Sequence, residues 1–245
     1  MTLMPYAVGI HTTTPQLGLC CSHPERGISI QTWDLGRDMS TQLHEHLFSF
    51  MSAEDLSKLQ FIAVASGPGG FTSTRLGVVT ARTLAQQLNI PLFGISSLAA
   101  YVWHRSKLPQ SPQDGSAVEQ NNSMGKHHHH SDETMIAVQM PARRHQVFGA
   151  IYKIARASKP NVMTSQSTIL SPQTLAPYKA DHVINEEDWK SYIETEFTEP
   201  LTRLTINEVL GYTVPSVLEL ATLDYRAQTN SHWSTVLPFY GQSPV

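Results

Sequence analysis

Ser66-Gly-Pro-Gly-Gly-Phe-Thr-Ser-Thr-Arg-Leu-Gly77 joins a compact apolar run, Phe61 to Ser66, to a stretch of helical character, Thr72 to Leu88, and a second apolar run follows at Pro91 to Ile95. A buried strand, a glycine turn, a helix and another strand make a parallel crossover unit. Gly67, Gly69 and Gly70 lack Cβ atoms, so the turn can take positive φ and other groups can approach its backbone closely. Two readings of the turn are open. It feeds strand into helix, or it presents the N–H groups of the helix start, with Arg75 one turn in, to an anion. No Lys-Ser/Thr pair follows, so it is not a P-loop, and Gly-Pro-Gly-Gly-Phe does not fit the dinucleotide fingerprint.

Projected at 100° per residue, Gly77, Val78, Ala81, Leu84, Ala85 and Leu88 form a small-residue face suited to lying on a sheet. Thr72, Leu76, Val79, Thr80 and Thr83 fall on the opposite side, where a solvated helix normally carries charge. Arg75 and Arg82 sit at the edge between the two faces. Short uncharged side chains let another helix come close, so this second face reads as a helix-against-helix interface, the other reading being cover by the chain's own loops.

Upstream, Tyr6 to Ile10, Gln16 to Cys21 and Ile28 to Trp33 are short strand-like runs broken by Thr/Pro and Pro/Gly punctuation, an antiparallel meander. Asp38 offers an N-cap to a helix carrying Met39, Leu43, Leu47, Phe50 and Met51 on one stripe, with His44 and Phe48 off that stripe and available to the same interface. A three-stranded start feeding a parallel part predicts a mixed α/β sheet with helices on its faces. Downstream, Lys107 to Thr134 turns to Ser, Pro, Gln, Asn, Gly and His and reads as a linker, including Lys126 and the tract His127 to His130, where a low-complexity loop outweighs a metal site. Strand-like runs restart at Met135 to Met140 and Val147 to Ile154, and Val217, Leu218, Ala221 and Tyr225 suit a last helix. The expected division is therefore 1–106, a linker at 107–134, and a smaller C-terminal part at 135–245.

Bulk properties narrow the function. The chain has 245 residues, 40% of them hydrophobic, enough for a sizeable core, and a formal charge of −3, which gives no global basic field for gripping nucleic acid unaided. Its two cysteines, Cys20 and Cys21, are sequence neighbours, where a disulfide would close no useful loop. With no secretory start and no apolar run of spanning length, a cytoplasmic protein without membrane contact is expected.

The segment Ser66 to Leu98 resembles the signature of the TsaB (YeaZ) family, in which a Gly-Pro-Gly-Ser-Phe-Thr-Gly turn leads through an alanine-rich helix to an Asn-Ile-Pro-Leu strand and a Ser-Ser-Leu turn. The similarity extends to Gly9 to Pro15, Ala142 to Tyr152 and Leu237 to Tyr240. It implies the fold shared by actin, sugar kinases and Hsp70-like ATPases (the ASKHA, ribonuclease H-like fold), in two related subdomains, the second reduced. It further implies a non-catalytic subunit that dimerises with a TsaD-type catalytic paralogue through the helices above and supports N6-threonylcarbamoyladenosine formation at position 37 of tRNAs. The further partners it implies are a TsaE-type ATPase, tRNA through the complex and, upstream, TsaC, while a homodimer could form through the same helices. Cofactors are expected on the partners, ATP and a metal, and none on this chain.

Several residues depart from the catalytic relatives, which carry Asn-His-Leu-Glu-Gly-His after the Asn-Ile-Pro-Leu strand. Ser97 and Tyr101 replace the two metal-binding histidines, so no metal ligand and no catalytic residue is assigned here. His11 stands before Thr12 and Thr13 where ATPases of this fold have an acid, a poor exchange for binding hydrated magnesium; it reads as a satisfied surface histidine. The family's Asp-Ala-Arg becomes Pro141-Ala142-Arg143-Arg144. Arg143 and Arg144 fit tRNA phosphates, a carboxylate of the partner, or a solvated basic pair. The competing function is a stand-alone nucleotide-binding ATPase or carbamoyl transferase that uses the Ser66 to Arg75 turn.

Overall fold

The computed structural model describes residues 4–108, 133–156, 173–198, 201–229 and 231–241. The chain opens with β1 (Ala7–His11), β2 (Gln16–His23) and β3 (Gly27–Asp34), followed by α1 (Met39–Phe50), the short α2 (Ala53–Ser57), β4 (Phe61–Gly67), α3 (Phe71–Leu88) and β5 (Leu92–Ser96). The sheet order is β3-β2-β1-β4-β5. β1 is central, antiparallel to β2 and parallel to β4, with Val8 opposite Cys21 on one side and Ile62 on the other. All five of its residues are buried, because helices cover both faces.

Next comes α4 (Ser97–Lys107), then a second sheet from β6 (Glu133–Pro141), β7 (Gln146–Arg156), β8 (Gln173–Asn185) and, after α5 (Glu186–Glu196), β9 (Thr202–Thr205). Its order is β8-β7-β6-β9, and β6 runs antiparallel to β7 and parallel to β9. The same plan of meander, helix and parallel strand is thus used twice. The first half extends it with α3 and β5, whereas the second goes from β9 through a 3-10 turn at Gly211–Thr213 into α6 (Val214–Arg226). These are two related subdomains of a mixed α/β, actin-like fold, the second reduced.

Four apolar clusters fix the layers. Leu43 and Leu47 of α1 and Val78 and Ala81 of α3 pack on Val8, Ile10, Leu17 and Leu19. On the other face, Val214, Val217, Leu218 and Ala221 of α6 meet Ala7, Cys20, Ala63 and Ala65, so a helix from the C-terminal half lies on the first sheet. Leu98 and Val102 of α4 face Ile136, Val138 and Phe148 of the second sheet. Trp189 and Ile193 of α5 close the far side over Ala137, Val147 and Ile151.

The expected Ser96-Ser97-Leu98 turn is the start of a helix. The Ser96 hydroxyl accepts hydrogen bonds from the Leu98 and Ala99 amides, which caps α4. Cys20 and Cys21 are both free thiols and both buried, and burial pushes each up, to about 12 and about 11. The Lys126 to His130 tract lies outside the described residues.

Candidate functional site

α3 sits on the first sheet by its small side: Gly77, Val78, Ala81 and Ala85 are buried, and Leu84 and Leu88 pack partly buried against the same core. Asn89 ends the helix in the left-handed region, its amide bonded back to the last turn. On the outward side Thr72, Arg75 and Thr83 are exposed, and Val79 is 49% exposed. Leu76 is half-buried against the core. Thr80 departs from the expected outward face, being only 6% exposed. Gly77 and Ala81 bring the helix backbone so near the sheet that the adjoining flank is covered as well. α1 packs beside α3 and adds His44 and Phe48, the latter 58% exposed. A partly apolar surface of two neighbouring helices results, with Glu45, Arg75 and Arg82 as its charged members.

The glycine turn is occupied by the protein itself. The Gly70 amide donates to the Thr13 carbonyl at 2.8 Å, and a Cβ on Gly69 would lie 2.2 Å from that same oxygen. Gly67, at φ +113°, faces the Phe239 carbonyl, and the Phe239 amide donates to Ser66 at 2.7 Å. Thr12 presses on the small side of α3: its hydroxyl donates to the Ser73 carbonyl at 2.8 Å and sits where a Gly77 Cβ would be. Carbonyl oxygens therefore fill the concavity at Gly67 and Gly69. An anion would meet acceptors there, so the glycines serve close packing of the threonine hairpin and the C-terminal segment.

Behind this hairpin runs a polar seam between the two sheets. Thr13 and Ser97 hydroxyls lie 3.0 Å apart, and Thr14 accepts the Leu210 amide at 2.9 Å. Tyr152, from β7, donates to Asp181 Oδ1 at 2.6 Å and lies 3.1 Å from Ser96 Oγ. Burial raises the Asp181 carboxyl and holds the Tyr152 phenol well above its ordinary value. His11 is not a surface histidine. It is fully buried at the end of the central strand under the α6 layer, with no hydrogen-bond partner for either ring nitrogen, and burial pushes it down to about 3. No local motif marked Tyr152 and Asp181 as partners of Ser96; only contact between residues far apart in sequence reveals the cluster.

The β6–β7 hairpin displays Arg143, Arg144 and His145, all exposed. Arg144 and His145 stand at φ 60° and 57°, and the Gln146 amide closes the turn onto the Arg143 carbonyl. For residues with a Cβ, that backbone costs about 1–2 kcal/mol each.

The family model for TsaD, tRNA N6-adenosine threonylcarbamoyltransferase, matches residues 37–113, the stretch that holds α1 to α4. The tRNA threonylcarbamoyladenosine biosynthesis protein TsaB of Bacillus subtilis (strain 168) is 31% identical over 121 residues, 49% of this chain and 41% of that protein. TsaB of Buchnera aphidicola subsp. Schizaphis graminum is 40% identical over 58 residues, 22% of this chain and 28% of its own length. Both curated relatives are thus matched over less than half of their length. Among solved structures, YeaZ from Pseudomonas aeruginosa superposes with a TM-score of 0.64 over 97% of this chain and all of that one, at 17% identity. A second structure, of an uncharacterized protein with similarity to peptidase YeaZ from the same organism, gives 0.65 over 98% and 100%, also at 17% identity.

Over these stretches the chain is similar to the TsaB proteins, and its fold is that of the YeaZ structures.

Within a TsaB/YeaZ fold, the seam of this chain has its own character. Ser97 and Tyr101 are buried, the first against Thr13 and the second in the α4 core facing the second sheet. Neither Ser96 nor Ser97 is hydrogen-bonded to an imidazole and His11 has no hydrogen-bond partner, so the seam itself holds no serine–histidine pair; His232 and Ser234, 2.7 Å apart, meet in an exposed turn away from it. No helix among the described residues is long and apolar enough to cross a membrane.

Proposed function

We propose that this chain is a non-catalytic subunit that pairs with a TsaD-type catalytic partner and supports formation of N6-threonylcarbamoyladenosine at position 37 of tRNAs. The observation that carries the reading is the α1/α3 surface, where Phe48 and Val79 stand about half exposed on two adjoining helices whose charged residues are limited to Glu45, Arg75 and Arg82. Such a surface gains most by packing on a second pair of helices. The relatives' names supply the pathway, and the TsaD-type match over 37–113 supports pairing between like surfaces. A homodimer through the same helices would compete with the partner for one face. The carbonyl-filled glycine turn gives no support to a stand-alone ATPase, so ATP and metal chemistry are assigned to the TsaD- and TsaE-type proteins.

Val79→Arg tests the reading, because it adds charge at a half-exposed position without entering the core. Co-purification with the TsaD-type partner should be lost while thermal stability is unchanged. In a reconstituted reaction with TsaC-, TsaD- and TsaE-type proteins, modified tRNA should depend on the wild-type chain and fall at least tenfold with the variant. Full assembly and full modification with Val79→Arg would sink the interface.

A further inference from the structure

The tip of the β6–β7 hairpin is a two-residue turn with both central residues in the left-handed region, Arg144 at φ 60° and His145 at φ 57°. Asn-Gly or Gly-Gly fits such a turn best, since these residues tolerate positive φ. A chain selected only for stability would keep small residues there; this one keeps an arginine and a histidine, directly after another arginine. Strained backbone retained at an exposed tip is a mark of use.

The surroundings say what kind of use. Arg143, Arg144 and His145 are all exposed, and neither arginine is paired with a carboxylate among the described residues. Pro141 is exposed and Ala142 packs inward on the second core, so the tip lacks the apolar centre that a dry protein interface needs. Acids are close: the Glu186 amide donates to the His145 carbonyl at 3.1 Å, and Glu186, Glu187 and Asp188 form the first turn of α5. These carboxylates stand at the positive end of their helix and balance the local charge. The hairpin is therefore not a strong basic field but a pair of exposed guanidinium forks on a hydrogen-bonded turn, and such forks match phosphate oxygens.

We propose that Arg143, Arg144 and His145 form a phosphate-backbone contact for the RNA substrate, positioning it on the assembled complex. The proposal rests on the reading of this chain as a subunit that acts on tRNA. Contacts of this kind set register and orientation and carry no sequence information.

The test uses the reconstituted complex and an unmodified tRNA transcript, with affinity followed by fluorescence anisotropy across a salt series. Arg143→Gln with Arg144→Gln should weaken binding about tenfold near 0.1 M salt and flatten the slope of log K against log salt by about one to two. Co-purification with the TsaD-type partner should be unchanged. Arg144→Asn with His145→Gly should raise the Tm of the chain by about 2–8 °C, through relief of the turn, and still weaken tRNA binding. Unchanged affinity and slope in the double glutamine variant, in a complex that needs this chain to bind tRNA, would overturn the hairpin contact and leave the subunit role standing. Loss of the partner instead of the RNA would overturn it in favour of protein docking. Full tRNA modification with the chain omitted would remove the subunit role and the hairpin contact together.

Discussion

Burying His11 denies the folded chain a proton that the unfolded chain can accept. The folded imidazole is pushed from 6.5 to about 3 by burial, with no ionic partner to offset it. Because the folded value is the lower one, the penalty is absent above pH 7, grows as pH falls through 6.5, and levels off only near pH 3. Each pH unit in that window removes about 1.4 kcal/mol, so roughly 2 kcal/mol is lost between pH 7 and pH 5. His11→Leu keeps the volume, removes the two orphaned nitrogens and abolishes this proton uptake. Urea unfolding at several pH values should show the wild type losing stability more steeply than the variant by about that slope. Parallel curves would mean that the ring is not held neutral. The same residue shows where sequence reading fails: a histidine beside two threonines looks like hairpin surface, and only the α6 layer, some two hundred residues later, shuts it in.

At the scale of the element, α3 separates two effects that a helical projection merges. Thr80 and Val79 are neighbours in sequence and both fall on the uncharged side, yet Thr80 is buried and Val79 is not. Thr80→Glu should therefore act on folding and not on docking alone. An unpaired carboxylate forced into that flank should lower stability by about 3 kcal/mol or more, seen as a shifted urea midpoint of the isolated chain. A midpoint equal to the wild type would return Thr80 to the docking face. Elements with one clear stripe, α1 through Leu43 and Leu47 and α3 through Val78, Ala81 and Ala85, were legible in the sequence. α4 was not, because its first seven residues are all buried and leave no polar face to set a period. α5 buries only Trp189 and Ile193, too little for a stripe, and β8 contains Pro177 and register irregularities against β7. Capping signals at Ser96 and Asn185 were the readable clues to both helices.

At the scale of the molecule, the two halves are joined by the α4/α6 layer and by a short polar bridge. Tyr152 carries that bridge from the second sheet to Ser96, where β5 passes into α4, and to Asp181 on β8. Burial raises the Asp181 carboxyl, and the hydrogen bonds from Ser96 and Tyr152 draw it back down. Tyr152→Phe deletes one of those two supports and leaves the ring in place. The carboxyl then rises further, and its ionised form in the folded state becomes harder to hold. A raised folded value means stability that is present at low pH and is lost as pH climbs through it. The variant should therefore be less stable by about 1–3 kcal/mol at pH 7, where Asp181 must be ionised or must take up a proton. Below the ordinary carboxylate range, where the carboxyl is protonated in the folded and the unfolded chain alike, the deficit should shrink. Because α1 and α3 lie on the far side of the first sheet, co-purification with the proposed TsaD-type partner should survive the change. A deficit of equal size at both pH values would show that Tyr152 acts through packing and not through the Asp181 charge; a lost partner with an intact fold would count against the proposed docking through the helix pair alone.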